Sequence, residues 1–365
     1  MDAPCDRQHL LGTSLDEFAA SCEDCGMPPY RAQQVFEWVY AKGAHDFAAM
    51  TNLSKPLREQ WARQWIVRTA TVDRRQISTD GTVKLLLRWP DGAASECVLI
   101  PDGRRRTACI SSQVGCPVGC AFCASGLNGL QRQLSAGEIV EQVMHVRDLC
   151  EPRTPEASAP PGTPPLPEPA RLSNIVVMGL GEPLANYAAL LRALRIINAP
   201  WGPDIGARSI TVSTVGLPTQ IRRLAKEGLQ INLAVSLHAP EDKLRGRLIP
   251  WAKRVPIEEL VAAGREYYET THRELTIEYI LLDGVNDQPE HATQLVKICR
   301  QMRCNVNLIK YNPVPGLPFD RPKTFAVQKF VERLRERGVN VHIRKSRGLD
   351  IDAACGQLRR STLAR

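Results

Sequence analysis

No stretch of this 365-residue chain stays apolar for anything near the ~20 residues that a membrane-crossing helix needs. The start, Met1-Asp2-Ala3-Pro4-Cys5-Asp6, lacks the apolar core of an export signal. A cytoplasmic protein without a membrane partner is expected. In that reducing compartment the twelve cysteines point to metal binding or catalysis rather than to structural disulfides. Acids are scarce at one end: Arg321 to Arg365 holds four against twelve Lys or Arg, whereas residues 1–30 hold six acids and one arginine, Arg7. With a formal net charge of +8, a basic C-terminal region over an acidic N-terminus fits an RNA partner. A second cysteine pair is lacking beside Cys22-Glu23-Asp24-Cys25, so this C-x-x-C reads as an ordinary N-terminal helix or loop rather than half a zinc site.

What the chain does have is Cys116-Pro117-Val118-Gly119-Cys120-Ala121-Phe122-Cys123. Three thiolates at C-x₃-C-x₂-C spacing can hold three irons of a [4Fe–4S] cluster, which normally takes four. The next cysteine downstream is Cys150, so one iron is left open to a bidentate small molecule. Gly115 and Gly119 remove side chains where a loop must wrap an inorganic core, and Phe122 can shield it from water. Zinc is the alternative, but structural zinc takes four ligands, usually as two pairs.

From Tyr30 to Trp65 apolar residues recur at helix spacing. Asp46 to Met50 reads as a short second helix, and Ser54 as the cap of a third with Pro56 in its first turn. Arg, Lys and aromatics interleave here, which suits either a plain three-helix domain or an RNA-contacting platform. The period then changes to two. Thr69 to Ser78 and Val83 to Trp89 read as strands joined by a turn at Asp80-Gly81, with a further strand from Glu96 to Ile100. From Arg106 onward, strands at 106–114, 173–180, 209–215, 231–238, 274–282 and 305–311 alternate with helices at 135–150, 185–198, 218–228, 256–271, 288–302 and 325–338. Six such units predict an α/β protein on a partial or full parallel barrel, with chemistry at the C-terminal ends of the strands. The expected divisions are a helical module at 1–65, a β extension at 66–101, a core barrel at 102–349 and a C-terminal tail at 350–365. Residues 152–169, with eight prolines, are expected to be a disordered surface insertion away from the catalytic rim.

The predicted rim carries the candidate site. Gly179, Gly181 and Glu182 end the second barrel strand; glycines let a ligand approach the backbone, and a carboxylate accepts hydrogen bonds from an ammonium group. Ser213, Ser236, Leu237, His238 and Asn312 follow later strands, and their polar side chains suit ribose, carboxylate or adenine. Cys109 and Cys355 are nucleophiles if ionised; otherwise one is a small buried hydrophobe and the other a chance tail cysteine. Glu96, taken alone, reads as a surface carboxylate on an alternating strand.

The cysteine octet resembles the radical S-adenosylmethionine (radical SAM) superfamily, in which that cofactor chelates the open iron and is cleaved to a 5′-deoxyadenosyl radical. The strings Cys109-Ile-Ser-Ser-Gln-Val-Gly-Cys116, Met178-Gly-Leu-Gly-Glu-Pro-Leu184, Ser236-Leu-His-Ala-Pro240 and Asp350-Ile-Asp-Ala-Ala-Cys-Gly-Gln-Leu358 resemble the radical SAM adenine methyltransferases of large-subunit ribosomal RNA. Arg31-Ala-Gln-Gln-Val35 and Leu282-Asp-Gly-Val-Asn-Asp287 extend the likeness over about Tyr30 to Leu358. The resemblance implies a partial (β/α)6 TIM-like radical SAM barrel with an N-terminal helical module and a small β extension. It implies a [4Fe–4S] cluster on Cys116, Cys120 and Cys123. S-adenosylmethionine would be held by Gly181, Glu182, Ser213, Ser236, Leu237, His238 and Asn312.

The implied reaction methylates C2 of an adenosine in 23S rRNA and C2 of the adenosine beside the anticodon in tRNA. C2 of adenine is electrophilic, so the methyl must arrive as a carbon radical. By resemblance, Cys355 is methylated by one S-adenosylmethionine, loses hydrogen to the radical from a second, and adds to C2. Glu96 matches the base that removes the C2 proton. Cys109 then attacks the Cys355 sulfur, releasing the product and leaving a disulfide. The implied partners are 23S rRNA, tRNA and a low-potential electron donor such as flavodoxin, with a monomer expected. Flipping the nucleotide costs a few kcal/mol. Phosphate contacts from Arg104, Arg105, Arg106, Arg321, Lys323, Arg344, Lys345 and Arg347 are expected to offset it. Leu349 stands where the common C2 enzymes have a second acid, so C8 methylation of the antibiotic-resistance type stays as the alternative. More remote readings are a non-catalytic iron–sulfur RNA-binding protein and a radical SAM enzyme acting on a small molecule or a protein glycyl radical.

Overall fold

The computed structural model describes residues 7–151 and 170–358; the proline-rich segment expected at 152–169 lies outside them. The N-terminal module comprises β1 (Gln8–His9), α1 (Leu15–Asp24), α2 (Tyr30–Phe36), α3 (Lys55–Gln64) and β2 (Trp65–Ile66). A capping box starts α1: the Ser14 hydroxyl accepts from Glu17 N while the Glu17 carboxylate accepts from Ser14 N. Ser54 is the N-cap of α3, with Pro56 in the first turn as expected. Parallel pairing of β1 with β2 ties the two ends of the module together.

Most of its aromatics serve as core rather than as an RNA platform. Phe18 packs edge-on against Trp61 and Trp65 at 5.6 and 5.1 Å between centroids. Phe36 meets Trp201 of the barrel at 5.2 Å. Cys22 is buried inside α1, which agrees with the helical reading of its C-x-x-C. Asp46 to Met50 is not a helix. The Asp46 carboxylate accepts from Ala49 N at 3.0 Å, and Met50 N and Leu53 N donate to Phe47 O and Met50 O. These successive side-chain-stabilised turns send Phe47 and Met50 inward without continuing a helical ladder.

The β extension is an antiparallel meander of β3 (Thr71–Ile77), β4 (Val83–Arg88) and β5 (Ala94–Asp102). Gly81 at φ +80° makes the first turn. β6 (Arg105–Cys109) pairs with β5 and begins the barrel. The strand expected over 106–114 ends at Cys109. The amide of Ser111 is taken by the Gln142 side chain, the carbonyl of Ser112 by Asn186, and the amides of Ser112 and Gln113 by Leu180 O. No strand ladder can form through them. Instead β7 (Gln113–Gly115) and β8 (Leu130–Gln133) make a separate ribbon that brackets the cysteine loop.

The barrel then runs through α4 (Ala136–Cys150), β9 (Asn174–Val177), α5 (Tyr187–Asn198), β10 (Ile210–Thr214), α6 (Pro218–Ala225) and β11 (Asn232–Ser236). It continues with α7 (Asp242–Leu248), α8 (Ile257–Thr271), β12 (Leu275–Leu281), α9 (Pro289–Cys299), β13 (Cys304–Lys310), α10 (Thr324–Arg335) and β14 (Val341–Arg344). One ten-stranded sheet has the order β14-β13-β12-β11-β10-β9-β6-β5-β4-β3, parallel from β6 to β14. The six expected units are present; α7 and the seventh parallel strand, β14, were not expected.

Period-two alternation divides each barrel strand. Val212, Val235, Ile277, Tyr279, Val306 and Leu308 join the core under the helices. Ser213, Ser236, Glu278 and Asn307 face the barrel interior, which holds cavities where many (β/α) barrels hold packed branched side chains. The gap between β14 and the extension is bridged by the C-terminal segment. Gly348 N donates to Asp80 Oδ2 at 3.0 Å, Thr79 N to Asp350 Oδ2 at 3.1 Å, and Lys84 Nζ to Asp352 O at 3.1 Å. Among the described residues no helix is long and apolar enough to cross a membrane.

Candidate active site

The cysteine loop is shaped by glycines at close approaches. Gly115 has φ +80°, and a Cβ there would lie 2.0 Å from Gly129 O across the β7–β8 ribbon. A Cβ on Gly126 would lie 2.9 Å from Gly119 Cα, inside the loop itself. Cys116, Cys120 and Cys123 all line one cleft of about 830 Å³ at the C-terminal ends of the barrel strands. Their thiols are pushed up by burial, that of Cys116 to about 12, the response of sulfurs set among apolar walls. Phe122 is buried behind them and meets the His238 ring edge-on at 5.0 Å. Among the described residues, no three His, Cys, Asp or Glu side chains gather closely enough for a single ion. A cluster does not ask for that, because each thiolate takes its own iron. Three thiols spread around one apolar-walled cleft fit a [4Fe–4S] group.

Across the cleft, Gly181 at φ +106° lies so close to Gln113 that a Cβ would meet its side chain at 2.6 Å. Glu182 follows, 2% exposed. Burial pushes its carboxyl up to about 7, although Val215 N at 2.8 Å, Leu184 N at 3.0 Å and the Thr214 hydroxyl all favour the ionised form. A carboxyl held in this way is ready to ionise when a cation arrives. Ser213, Ser236 and His238 line the same cleft. His238 has φ +58° and is buried, and its Nδ1 accepts from Ile280 N at 3.0 Å. Burial, with Arg245 nearby, drops the ring to about 3, so it is neutral and its proton sits on Nε2.

Leu237 does not line the cleft: its side chain is core, its N donates to Glu278 O at 3.1 Å, and its carbonyl accepts from Ala239 N. Asn312 lines an adjoining cavity of about 560 Å³, where it donates to Cys355 O at 3.4 Å. Cys355 lines both spaces, and Cys109 lines the second. The tail is thus part of the site. Ala124 N donates to Gly356 O at 2.8 Å, and Ser125 Oγ to Leu358 O at 2.8 Å, which joins the segment to the cysteine loop.

Glu96 is buried, not on the surface, and its carboxylate lies 3.2 Å from Lys84 Nζ. It lines neither space, but it shares a face of β5 with Val98, which packs against Cys109.

Sequence reasoning missed two charged residues. Glu278 on β12 is 3% exposed and lines the cleft; its Oε1 accepts from Asn307 Nδ2 at 3.0 Å, and its Oε2 has no partner. Its polar character inside the run Glu-Tyr-Ile-Leu-Leu was an available signal. Arg344, grouped by sequence with phosphate-binding residues, turns inward instead, with Nη1 3.3 Å from Met178 Sδ. Arg106 is also buried, bonded to Gly103 O.

A family model described as the ribosomal RNA large subunit methyltransferase N-terminal domain matches residues 8–67. The probable dual-specificity RNA methyltransferase RlmN of Rhodopirellula baltica is 44% identical over 355 residues, 97% of this chain and 91% of that protein. The protein of the same name from Geobacillus kaustophilus is 46% identical over 350 residues, 96% and 92% of the two chains. The crystal structure of a radical SAM methyltransferase from Sphaerobacter thermophilus matches with a TM-score of 0.90 at 45% identity, covering 97% of this chain and 100% of that one.

Proposed function

Since this chain belongs to the RlmN family of dual-specificity RNA methyltransferases, we propose that it methylates C2 of one adenosine in 23S rRNA and C2 of the adenosine beside the anticodon in tRNA. The observation that carries this reading is the position of Cys355, which lines one cleft with the three loop cysteines and a second cavity with Cys109. Cys116, Cys120 and Cys123 would hold a [4Fe–4S] cluster, and Glu182 would take the ammonium of S-adenosylmethionine. When bound, cluster and cofactor supply a hydrogen-abstracting carbon radical. Ser213, Ser236 and the Nε2–H of His238 offer hydrogen bonds to the rest of the cofactor. The Leu237 backbone and Asn312 complete the binding set.

Cys355 would carry the methyl group that S-adenosylmethionine supplies and would bond through that carbon to C2. Glu96 takes the C2 proton, and Cys109 cleaves the resulting protein–RNA species, leaving a disulfide for an outside thiol to reduce. The Phe122–His238 wall keeps water from the reacting carbon. We place the protein in the cytoplasm as a monomer served by a low-potential donor such as flavodoxin. The helical module, the β extension, the barrel and the C-terminal segment act as the four divisions read from the sequence. Leu349, the departure that left C8 open, is 42% exposed and outside the cleft lining.

The deciding experiment is Cys109→Ala in the reconstituted enzyme with an rRNA fragment. A covalent protein–RNA species should accumulate, and wild-type product should digest to 2-methyladenosine by mass spectrometry. Turnover by Cys109→Ala at the wild-type rate, or 8-methyladenosine as the product, would overturn the mechanism or the regiochemistry respectively.

A further inference from the structure

We propose that Arg344 is a positioning residue for the resolving step: its guanidinium, set beside both sulfurs, favours the Cys109 thiolate as it attacks Cys355. The assignment rests on the covalent reading above. Arg344 ends β14, the seventh parallel strand, and is placed where three spaces meet. It lines the cleft together with Cys355, the adjoining cavity together with Cys109 and Cys355, and a lower barrel cavity together with Glu278. Its Nη1 contact with Met178 Sδ at 3.3 Å fixes the head group on the same side as the two sulfurs. Cys109 itself is 5% exposed, on a strand end walled by Val98, Leu180, Ala353 and Leu358. In such an enclosed place a sulfur anion is disfavoured unless a cation lies beside it.

The charges around Cys109 favour Arg344 for this task. Arg347 lines the adjoining cavity but is paired with Asp102 at 3.0 Å, and Lys345 is exposed. Lys84 faces Glu96 at 3.2 Å. The other titratable group acting on the Cys109 thiol is the thiol of Cys355, which opposes its ionisation; Cys97 lies on the opposite face of β5. Burial, with Cys355 beside it, pushes the Cys109 thiol up to about 12, and Arg344 is the cation that pulls the other way, helped by a hydrogen bond from the Met178 backbone. Glu278 draws on the same guanidinium from the barrel side. An arginine suits such a place because it keeps its charge when enclosed and offers a planar fork to two acceptors at once.

The step balances without an outside oxidant. Cys109 gives up its proton and its Sγ attacks Cys355 Sγ. The Sγ–Sγ bond forms as the bond from Cys355 Sγ to the methylene carbon breaks, and the electron pair of that bond leaves on carbon. A proton equivalent to the one lost by Cys109 completes the methyl group. The two sulfurs are oxidised by two electrons and the carbon is reduced by two. Attack depends on thiolate fraction, so removing the cation slows this step and leaves the earlier ones.

The test uses cluster-loaded full-length enzyme, an rRNA fragment, S-adenosylmethionine and a dithiol reductant, comparing wild type, Cys109→Ala, Arg344→Gln and Arg344→Lys. Arg344→Gln is expected to form 5′-deoxyadenosine in its first turnover yet accumulate the covalent protein–RNA species that Cys109→Ala traps. Its release of methylated RNA should fall at least about tenfold at any one pH, with both enzymes gaining up to about tenfold per pH unit as the thiolate forms. Arg344→Lys should fall between the two. If Cys109→Ala traps the species while Arg344→Gln releases product at the wild-type rate and with the wild-type pH profile, the assignment is wrong. If Cys109→Ala traps nothing, the covalent reading fails first and the assignment falls with it. Should Arg344→Gln not load its cluster, Arg344→Lys carries the comparison, and wild-type release from it overturns the need for the fork.

Discussion

Replacing Glu182 by glutamine should change how stability responds to pH in protein free of S-adenosylmethionine. Burial raises the carboxyl from its ordinary 4.5 to about 7, against the hydrogen bonds from Val215, Thr214 and Leu184. A carboxyl with a raised folded-state pKa binds its proton more firmly in the folded chain than in the unfolded one. Its contribution is therefore fully present below about 4.5 and is lost as pH rises through about 7. At ~1.36 kcal/mol per pH unit, that interval is worth about 3 kcal/mol. Glutamine keeps the shape, cannot ionise and loses one acceptor oxygen, which costs a constant amount at every pH. The unfolding free energy of Glu182→Gln minus that of wild type should therefore climb by about 3 kcal/mol between about pH 4.5 and 7.5, read from urea transitions at each pH. A difference that stays flat across this window would refute the reasoning, because it would mean that the buried carboxyl is ionised throughout. Cofactor binding should run the other way: the ammonium selects the carboxylate, so wild-type affinity should rise with pH up to about 7 while the variant stays weak.

Gly115→Ala should cost roughly 2–4 kcal/mol, since it combines a left-handed backbone with a Cβ set against Gly129 O. Iron content per chain should fall with it, and an unchanged melting temperature with full iron would contradict the close approach. Lys84→Met keeps the bulk of the stem but removes the cation opposite Glu96 and the donor to Asp352 O, for a loss of roughly 3 kcal/mol in urea unfolding. A loss under about 0.5 kcal/mol would mean that the pair is worth no more than a surface contact.

The parts of the fold legible in the sequence are those whose pattern is local. Ser135, which opens α4 with a capping box to Glu138, the β-branched run around Val212 and the apolar run around Val235 announce their elements directly. The cysteine loop was legible because its spacing is its chemistry. β14 was not, because Val-His-Ile-Arg is four residues long: its period-two alternation is too short to tell from a loop, and its polar members include the charged, barrel-facing Arg344. α7 was hidden by its seven-residue length and by Gly246, whose missing side chain makes room for Lys253. Helix 46–50 was overpredicted because an aspartate ahead of apolar residues looks like a cap; here its carboxylate closes a turn instead. At the site, the motifs mark the loop cysteines, Glu182, Ser213, Ser236, His238 and Cys355, which share the cleft, whereas Leu237 and Glu96 do not line it and Glu278 and Arg344 gain meaning only from what the barrel brings beside them.

The segment bearing Cys355 is fastened on both sides. Asp350 and Asp352 are tied to the meander, while Gly356 and Leu358 are tied to the cysteine loop. Such a tether limits excursions, so on the proposed mechanism a carbon carried by that sulfur would move only as far as one side chain can swivel. The nucleic acid has to make the journey. Discrimination between a ribosomal and a transfer RNA would then lie in how cheaply each surrenders a base from its own stack, and mutations that loosen the RNA should relax the enzyme's choice more than mutations that reshape its surface.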